Sequence, residues 1–185
     1  MPFSVIVAAT RSGIIGKDHQ LPWYIPQDLK RFREKTKTVA SEAKFNAVIM
    51  GRKTWESLPK RPLVDRINIV LSRNHEFDPR GAFAVTGLNE ALELAVSLNV
   101  ETTFVIGGRQ LYQEALVHPD CGSLLLTRVL GMRSGPYSYD EPEGDIVVPE
   151  LNTTWLTDHG FENAGYEGPC KTEAGVNYYY ANYAR

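Results

Sequence analysis

The chain reads as an α/β protein: a single-domain, three-layer sandwich with a central, mostly parallel sheet, helices on both faces, and an antiparallel hairpin at the C-terminal edge. Three observations predict this. Short, continuous apolar runs alternate with amphipathic helical patterns, the arrangement expected when strands are buried under helices on both sides. Two of those runs end in glycine turns that lead straight into helices. The last part of the chain is aromatic and strand-like with no helix after it, which suits antiparallel strands closing a sheet edge.

Taken in order, Phe3 to Ala9 (FSVIVAA) is the first buried strand. In Ile15 to Phe32 (IGKDHQLPWYIPQDLKRF) Pro22 and Pro26 rule out one continuous helix, and Pro26 is well placed at the first helical position of a helix through about Lys35. Phe45 to Met50, Ile67 to Leu71, Ala82 to Val85, Thr103 to Ile106 and Ser123 to Val129 read as strands, and Asn89 to Leu98 and Arg109 to Val117 as helices. Gly131 to Gly144 is rich in Gly, Pro, Ser and acids and reads as an exposed loop. Phe161 begins another strand-like piece, and Val176 to Tyr183 (VNYYYANY) completes the edge hairpin. No internal repeat is found.

The 185 residues suffice for one domain, residues 1–185, burying roughly 70% of its unfolded surface. A 43% hydrophobic content, 23% charged residues and a net charge of −2 exclude the basic excess of a dedicated nucleic-acid binder and point to small-molecule partners. Cys121 and Cys170 lie in no pairing motif, and Met1 leads straight into an apolar strand with no signal region, so free thiols and a reducing, cytoplasmic setting are expected. The longest apolar runs fall far short of the about 20 residues that cross a bilayer, so the Asn152-Thr153-Thr154 sequon is read as irrelevant. His19, His75, His118 and His159 lack metal-ligand spacing and are read as surface residues; no metal is expected.

Three features carry chemistry. Asp28 stands among Leu21, Trp23, Ile25, Leu29 and Phe32, and on the predicted helix it shares a face with Phe32. From this segment alone it is either a functional carboxylate or a helix-start acid favoured by the macrodipole. The second feature is a pair of glycine turns. VIMGRKTW sets Gly51, Arg52, Lys53 and Thr54 after a buried strand, and FVIGGRQLY sets Gly107 and Gly108 before a helix with Arg109, Gln110 and Tyr112. Neither is a P-loop nor a GxGxxG fingerprint, yet both put free N–H groups and cations where phosphates bind, at the carboxyl ends of strands. Third, Ser72 and Arg73 follow another strand; converging with Arg52 and Lys53 they would hold a phosphate dianion such as that on the ribose of NADPH. Each of these also has a plainer reading, as a turn or as solvated surface charge.

These motifs in this order resemble the dihydrofolate reductase family over essentially the whole chain: IVAA near Ile6, IGK then LPW to Trp23, Asp28 with Phe32, VIMGRKTWESLP, RPL then RINIVLSR to Arg73, VIGG with Tyr112, LLTRV, and EGD before Pro149. With no thymidylate synthase domain attached, the resemblance is to the monofunctional form, and the loop lengths point to a eukaryotic source. It implies hydride transfer from NADPH to C6 of 7,8-dihydrofolate with protonation at N5, giving tetrahydrofolate for one-carbon metabolism, in a monomer with no obligate protein partner that antifolates would inhibit.

The resemblance also implies roles. Asp28 would bind the pterin N3 and 2-amino group and favour protonation at N5 through water, with Trp23 ordering that water and Thr127 bonding near the carboxylate. Ile6, Val7, Leu29, Phe32, Leu58, Leu63 and Ile106 would line the substrate, and Arg66 would clamp the glutamate α-carboxylate. Ala8, Ile15 and Gly16 would meet the nicotinamide end, with Ile106 and Tyr112 bordering its ring. Gly51, Lys53, Thr54, Gly107 and Gly108 would hold the diphosphate, with Arg109, Gln110 and Leu111 beside it. Arg52, Leu71, Ser72 and Arg73 would take the 2′-phosphate side. Leu21 would sit on a mobile lid, and Gly107-Gly108 and Arg61-Pro62 would be cis.

There are departures: Ile146, Val147 and Val148 stand where the family commonly has a threonine and an aromatic, and Arg109 stands where some relatives have a third glycine. The rival enzyme is a reductase of the same fold acting on another pterin or pyrimidine-like substrate, against which Asp28, Phe32 and Arg66 argue together. A non-catalytic nucleotide- or RNA-binding module is the other class, disfavoured by the intact acid and lid segment.

Overall fold

A computed structural model describes residues 1–136 and 138–185. The elements follow in chain order as strand β1 (Phe3–Thr10), β2 (Ile14–Gly16), helix α1 (Pro26–Lys37), β3 (Asn46–Gly51), α2 (Arg52–Ser57), β4 (Arg66–Leu71), β5 (Phe83–Val85), α3 (Leu88–Ser97), β6 (Thr103–Val105) and α4 (Arg109–Val117). After these come β7 (Cys121–Arg133), β8 (Tyr139–Asp140), β9 (Ile146–Val147), a 3-10 turn at Pro149–Leu151, α5 (Thr153–Asp158), β10 (Glu162–Tyr166), β11 (Lys171–Glu173) and β12 (Val176–Ala184). Every strand and helix expected above is present, with ends shifted by a few residues; α1 begins at Pro26 as predicted and runs on to Lys37. The strands form a mixed sheet, parallel in one part and antiparallel at its edge.

The chain packs as two compact units, Met1–Val5 with Arg31–Cys121, and Ile6–Lys30 with Gly122–Arg185. In the first, strands run parallel in the order β1, β6, β3, β4, β5. Right-handed parallel crossings need covering helices, so the strands read as continuous apolar runs. Val48, Ile49, Met50, Ile69 and Val70 are fully buried, as are Ala91, Ala95, Ala115 and Leu116 of the helices. Each large side chain so buried contributes about 1.5–3 kcal/mol before conformational entropy is subtracted.

In the second unit β12 lies between β7 and β10 and is antiparallel to both, with β11 folded back along its start. Arg128, 2% exposed on β7, donates to the carbonyls of Thr10 at 2.6 Å and Leu151 at 2.7 Å. A buried charge holding two backbone carbonyls is structural, and truncating it would strand both acceptors.

The expected loop at Gly131 to Gly144 needs correction. β7 runs through to Arg133 and pairs with β8, so the segment opens as a short hairpin; Tyr137 lies outside the described residues. Gly131 sits at φ +95, where an added Cβ would overlap the Asp140 carbonyl. Its glycine therefore marks a close strand approach rather than a loop. β2, β9 and α5 were also not foreseen: two are only three residues or fewer, and α5 is six residues long.

Candidate active site

In the second unit the start of α1 is built around Asp28. Ile25 ends the turn before the helix, its carbonyl accepting from the N–H groups of Asp28 at 3.0 Å and Leu29 at 3.2 Å. The Gln27 N–H, free at a helix start, donates to Glu173 Oε2 at 3.0 Å. Thr127 then donates its hydroxyl to Asp28 Oδ1 at 2.5 Å. The same unit holds an apolar cluster of Trp23, Ile25, Val129, Tyr178 and Tyr180, with Ala8 packed against it.

The register explains this cluster: Thr127 faces Tyr180 and Val129 faces Tyr178 across the β7–β12 ladder, so alternate residues of both strands point the same way. Tyr178 and Tyr180 meet edge to face at 5.5 Å. Burial pushes the Tyr178 phenol above its ordinary value, its hydrogen bond with Tyr180 pulls the other way, and the carboxylates of Glu173 and Asp28 add to the upward push. Trp23 is 8% exposed and its indole Nε1 has no hydrogen-bond partner among the described residues, a buried donor that the chain leaves unsatisfied.

Ile6 and Val7 are buried in β1, whereas Leu21 and Leu29 are about half exposed, at 49% and 48%. Leu21 follows a tight turn in which Lys17 and Gln20 exchange both backbone hydrogen bonds, with Asp18 and His19 at φ +48 and +64. That is the hairpin geometry with positive φ at both central residues. Ile15 and Gly16 lie in β2, which pairs with β9 through Ile146 and Val147. Those residues, at the departure from the family pattern, thus supply a strand edge, and Val148 N–H donates to the Gly13 carbonyl at 2.8 Å.

The first unit brings together the glycine turns and their cations. Ile49 is in register with Val105 and Gly51 with Leu71, so β6, β3 and β4 end side by side, with Ser72 and Arg73 just beyond. Gly51 N–H donates to the Gly107 carbonyl at 2.8 Å, tying one turn to the other. Gly107-Gly108 is cis, as is Arg61-Pro62. A Cβ on Gly107 would press on the Tyr112 ring at 3.0 Å, and one on Gly108 would stand 3.2 Å from Thr54 Oγ1. Arg52, Lys53, Arg73, Arg109 and Gln110 are exposed around these turns, and Arg52 also reaches Glu56 at 3.7 Å. Leu111 and Tyr112 are buried and Ile106 nearly so, at 8%. Bare backbone flanked by exposed cations fits an extended polyanion such as a dinucleotide.

Arg66 is fixed by Nε donating to the Val64 carbonyl at 3.0 Å and Nη1 donating to Thr36 Oγ1 at 2.8 Å. Asn68 ties the preceding turn by bonding both Leu63 backbone groups and the Arg66 carbonyl, each at 2.9 Å. Phe32, Leu58 and Leu63 are half-buried in this unit. Thr36, Asn68, Glu173, Tyr178 and Tyr180 were not foreseen as supports. For the tyrosines the signal was present in the i, i+2 alternation of VNYYYANY; the others depend on turns that no short pattern encodes.

The family model for dihydrofolate reductase matches residues 2–183. The chain belongs to the dihydrofolate reductase family. Among named dihydrofolate reductases it is similar to that of Heliothis virescens, 33% identical over 98% of this chain and 96% of that protein, and to that of Mus musculus, 40% identical over 82% and 80%. It is also similar to bifunctional dihydrofolate reductase-thymidylate synthase 2 of Arabidopsis thaliana, 45% identical over 69% of this chain and 24% of that protein. The chain spans about a quarter to a third of the length of the bifunctional plant relatives it matches. Among the described residues no group of three or more His, Cys, Asp or Glu is placed to hold a metal, and no helix is long and apolar enough to cross a membrane. Cys121 is buried, Cys170 exposed, and both are free thiols.

Proposed function

We propose that this member of the dihydrofolate reductase family reduces 7,8-dihydrofolate to tetrahydrofolate, with NADPH as its cofactor and residues 1–185 acting as a single, monomeric, cytoplasmic reductase domain. The observation that carries the reading is Asp28, a carboxylate held by the Thr127 hydroxyl and close enough to Tyr178 for its charge to raise that phenol, in the same unit as the cluster of Trp23, Tyr178 and Tyr180. When bound, NADPH supplies the hydride for C6. The chain supplies the rest.

Asp28 accepts charge-assisted hydrogen bonds from the pterin N3–H and 2-amino group, holding the ring in one orientation and favouring the N5-protonated form. The proton reaches N5 from water, because a carboxylate engaged on the far edge of the ring cannot also reach N5. Trp23 is suited to position that water through its Nε1–H. Leu29, Phe32, Leu58 and Leu63 present apolar surface to the pterin and aminobenzoyl groups, and Arg66 takes the glutamate α-carboxylate. Leu21 and its turn close over the nicotinamide and exclude water.

The glycine turns, Lys53 and Thr54 suit the diphosphate, and Arg52, Ser72 and Arg73 suit a 2′-phosphate, which favours NADPH over NADH. The test is dihydrofolate-dependent oxidation of NADPH, followed by absorbance. The purified, folded protein is expected to turn over, and to do so far better with NADPH than with NADH. Absence of oxidation would remove the enzymatic reading; oxidation only with a different pterin or pyrimidine-like substrate would move it to the rival reductase.

A further inference from the structure

Helix α1 starts without a capping side chain of its own. Pro26 has no N–H, so Gln27 carries the first backbone donor of the helix, and Ile25, the residue just before the helix, has no side-chain oxygen to receive it. The acceptor comes from 146 positions along the chain: Glu173 Oε2 takes the Gln27 N–H at 3.0 Å. Asp28 is the next residue, and its own N–H is bound to the Ile25 carbonyl at 3.0 Å.

The sequence brings Glu173 there through a tight hairpin. Glu173 ends β11 opposite Val176 of β12, and the two residues between them, Ala174 and Gly175, stand at φ +49 and +78. A two-residue turn with positive φ at both positions fixes the register of its strands, although alanine adopts that conformation less readily than glycine. In that register Lys171 lies opposite Tyr178, so Lys171 and Glu173 share a face with Val176, Tyr178 and Tyr180. Two contacts pin the hairpin: Lys171 Nζ stands 4.8 Å from the centroid of the Tyr180 ring, and the Tyr178 hydroxyl hydrogen-bonds Glu173. Asp28 thus sits between two fixed points. Its carboxylate is held by Thr127 of β7 at 2.5 Å, and its backbone adjoins a donor capped from β11.

We infer that Glu173 is a positioning residue for Asp28: by capping α1 from β11 it fixes the direction in which the Asp28 carboxylate meets the pterin. This rests on the reading of the protein as a dihydrofolate reductase in which Asp28 binds the pterin edge. A charge-assisted pair with two pterin donors depends steeply on angle, so a helix start that frays loses part of it, while the glycine turns of the other unit keep their own contacts.

The experiment uses E173A and E173Q, each alone and combined with D28N. Dihydrofolate and NADPH are titrated separately by tryptophan fluorescence, with steady-state kinetics run alongside. E173A should raise the dissociation constant and KM for dihydrofolate about fivefold to tenfold and leave the dissociation constant for NADPH within about twofold. E173Q keeps an oxygen that can accept the Gln27 N–H and should recover most of the loss. In the D28N background E173A should change dihydrofolate binding by less than about twofold, because the pair that the cap serves is gone. Should E173A not fold, E173D, one methylene shorter, is measured in its place and should weaken dihydrofolate binding in the same direction. An equal effect with and without D28N, equal weakening of dihydrofolate and NADPH, E173Q no better than E173A, or dihydrofolate binding unchanged in the folded variant overturns the inference. The expected binding pattern without turnover would sink the proposed activity and keep the positioning role. Failure of the unmodified protein to bind dihydrofolate would sink both.

Discussion

Thr127 donates its hydroxyl to Asp28 at 2.5 Å, and it can do so because β12 pairs with β7 in a register that sets Tyr180 opposite Thr127. The threonine is 2% exposed, so water has little room to replace its hydroxyl. Thr127→Val keeps the shape and removes the donor. With the carboxylate losing one of its fixed partners, kcat/KM for dihydrofolate should fall by about tenfold, whereas Thr127→Ser should stay within about threefold of the unmodified protein. Steady-state kinetics on the pair distinguishes loss of the hydrogen bond from loss of packing, since serine gives up the methyl and valine keeps it.

Asp28→Asn removes the charge while keeping the side chain's size. If Asp28 favours the N5-protonated substrate, turnover at neutral pH should collapse by several orders of magnitude. It should recover in part as the pH falls and dihydrofolate protonates in solution. A kcat/KM profile from pH 5 to 8 checks this. Activity that is unchanged, or that is lost equally at every pH, would remove Asp28 from the role assigned to it.

How far the site was legible in the sequence follows from the range of each interaction. Asp28, the glycine turns and Ser72-Arg73 were readable because each sits at the junction of two periodic segments, where strand or helix patterns stop. The parallel strands were readable because burial on both faces leaves continuous apolar runs such as NAVIM. Thr36 and Asn68 were not, because their work is done across turns: Thr36 accepts from a residue 30 positions away, and Asn68 folds back onto Leu63. The hairpin at Gly131 was hidden for the opposite reason, since composition there is loop-like although the backbone pairs with β8.

Glu101 gives a prediction about stability and pH. Its carboxylate accepts from the N–H groups of Ala40 at 2.6 Å and Ser41 at 3.0 Å, and those two hydrogen bonds, Ala40 first, hold it below its usual value of 4.5. A depressed folded-state value means that the ionised form is favoured by folding. That contribution is fully present above pH 4.5 and is lost as the pH falls through the folded value. Glu101→Gln should therefore lower the melting temperature at pH 7, and the gap to the unmodified protein should narrow toward pH 3. A constant gap across that range would show that the carboxylate's charge does no stabilising there.

The segment that carries the proposed lid is held by three acids from the connection between β8 and β9. Glu141 accepts from the Ser12 hydroxyl at 2.5 Å and from its N–H at 3.3 Å, Lys17 pairs with Glu143 at 3.0 Å, and Asp18 N–H donates to Asp145 at 3.2 Å. The lysine is raised above its ordinary value chiefly by its hydrogen bond to Glu143, as an ion pair requires. These contacts lie at the surface, so each is individually weak and it is together that they hold the segment. Gly13 is different in kind: at φ +87, with an added Cβ overlapping the Val148 carbonyl, it fixes the backbone of the same segment sterically. Glu141→Ala should therefore raise hydrogen exchange at the Ser12 amide about tenfold while leaving the Val148 amide, bonded to Gly13, protected. Gly13→Ala should expose both. If Glu141→Ala left Ser12 exchange unchanged, the acid would be a bystander, and the hold on the segment would reside in the β2–β9 backbone pairing alone.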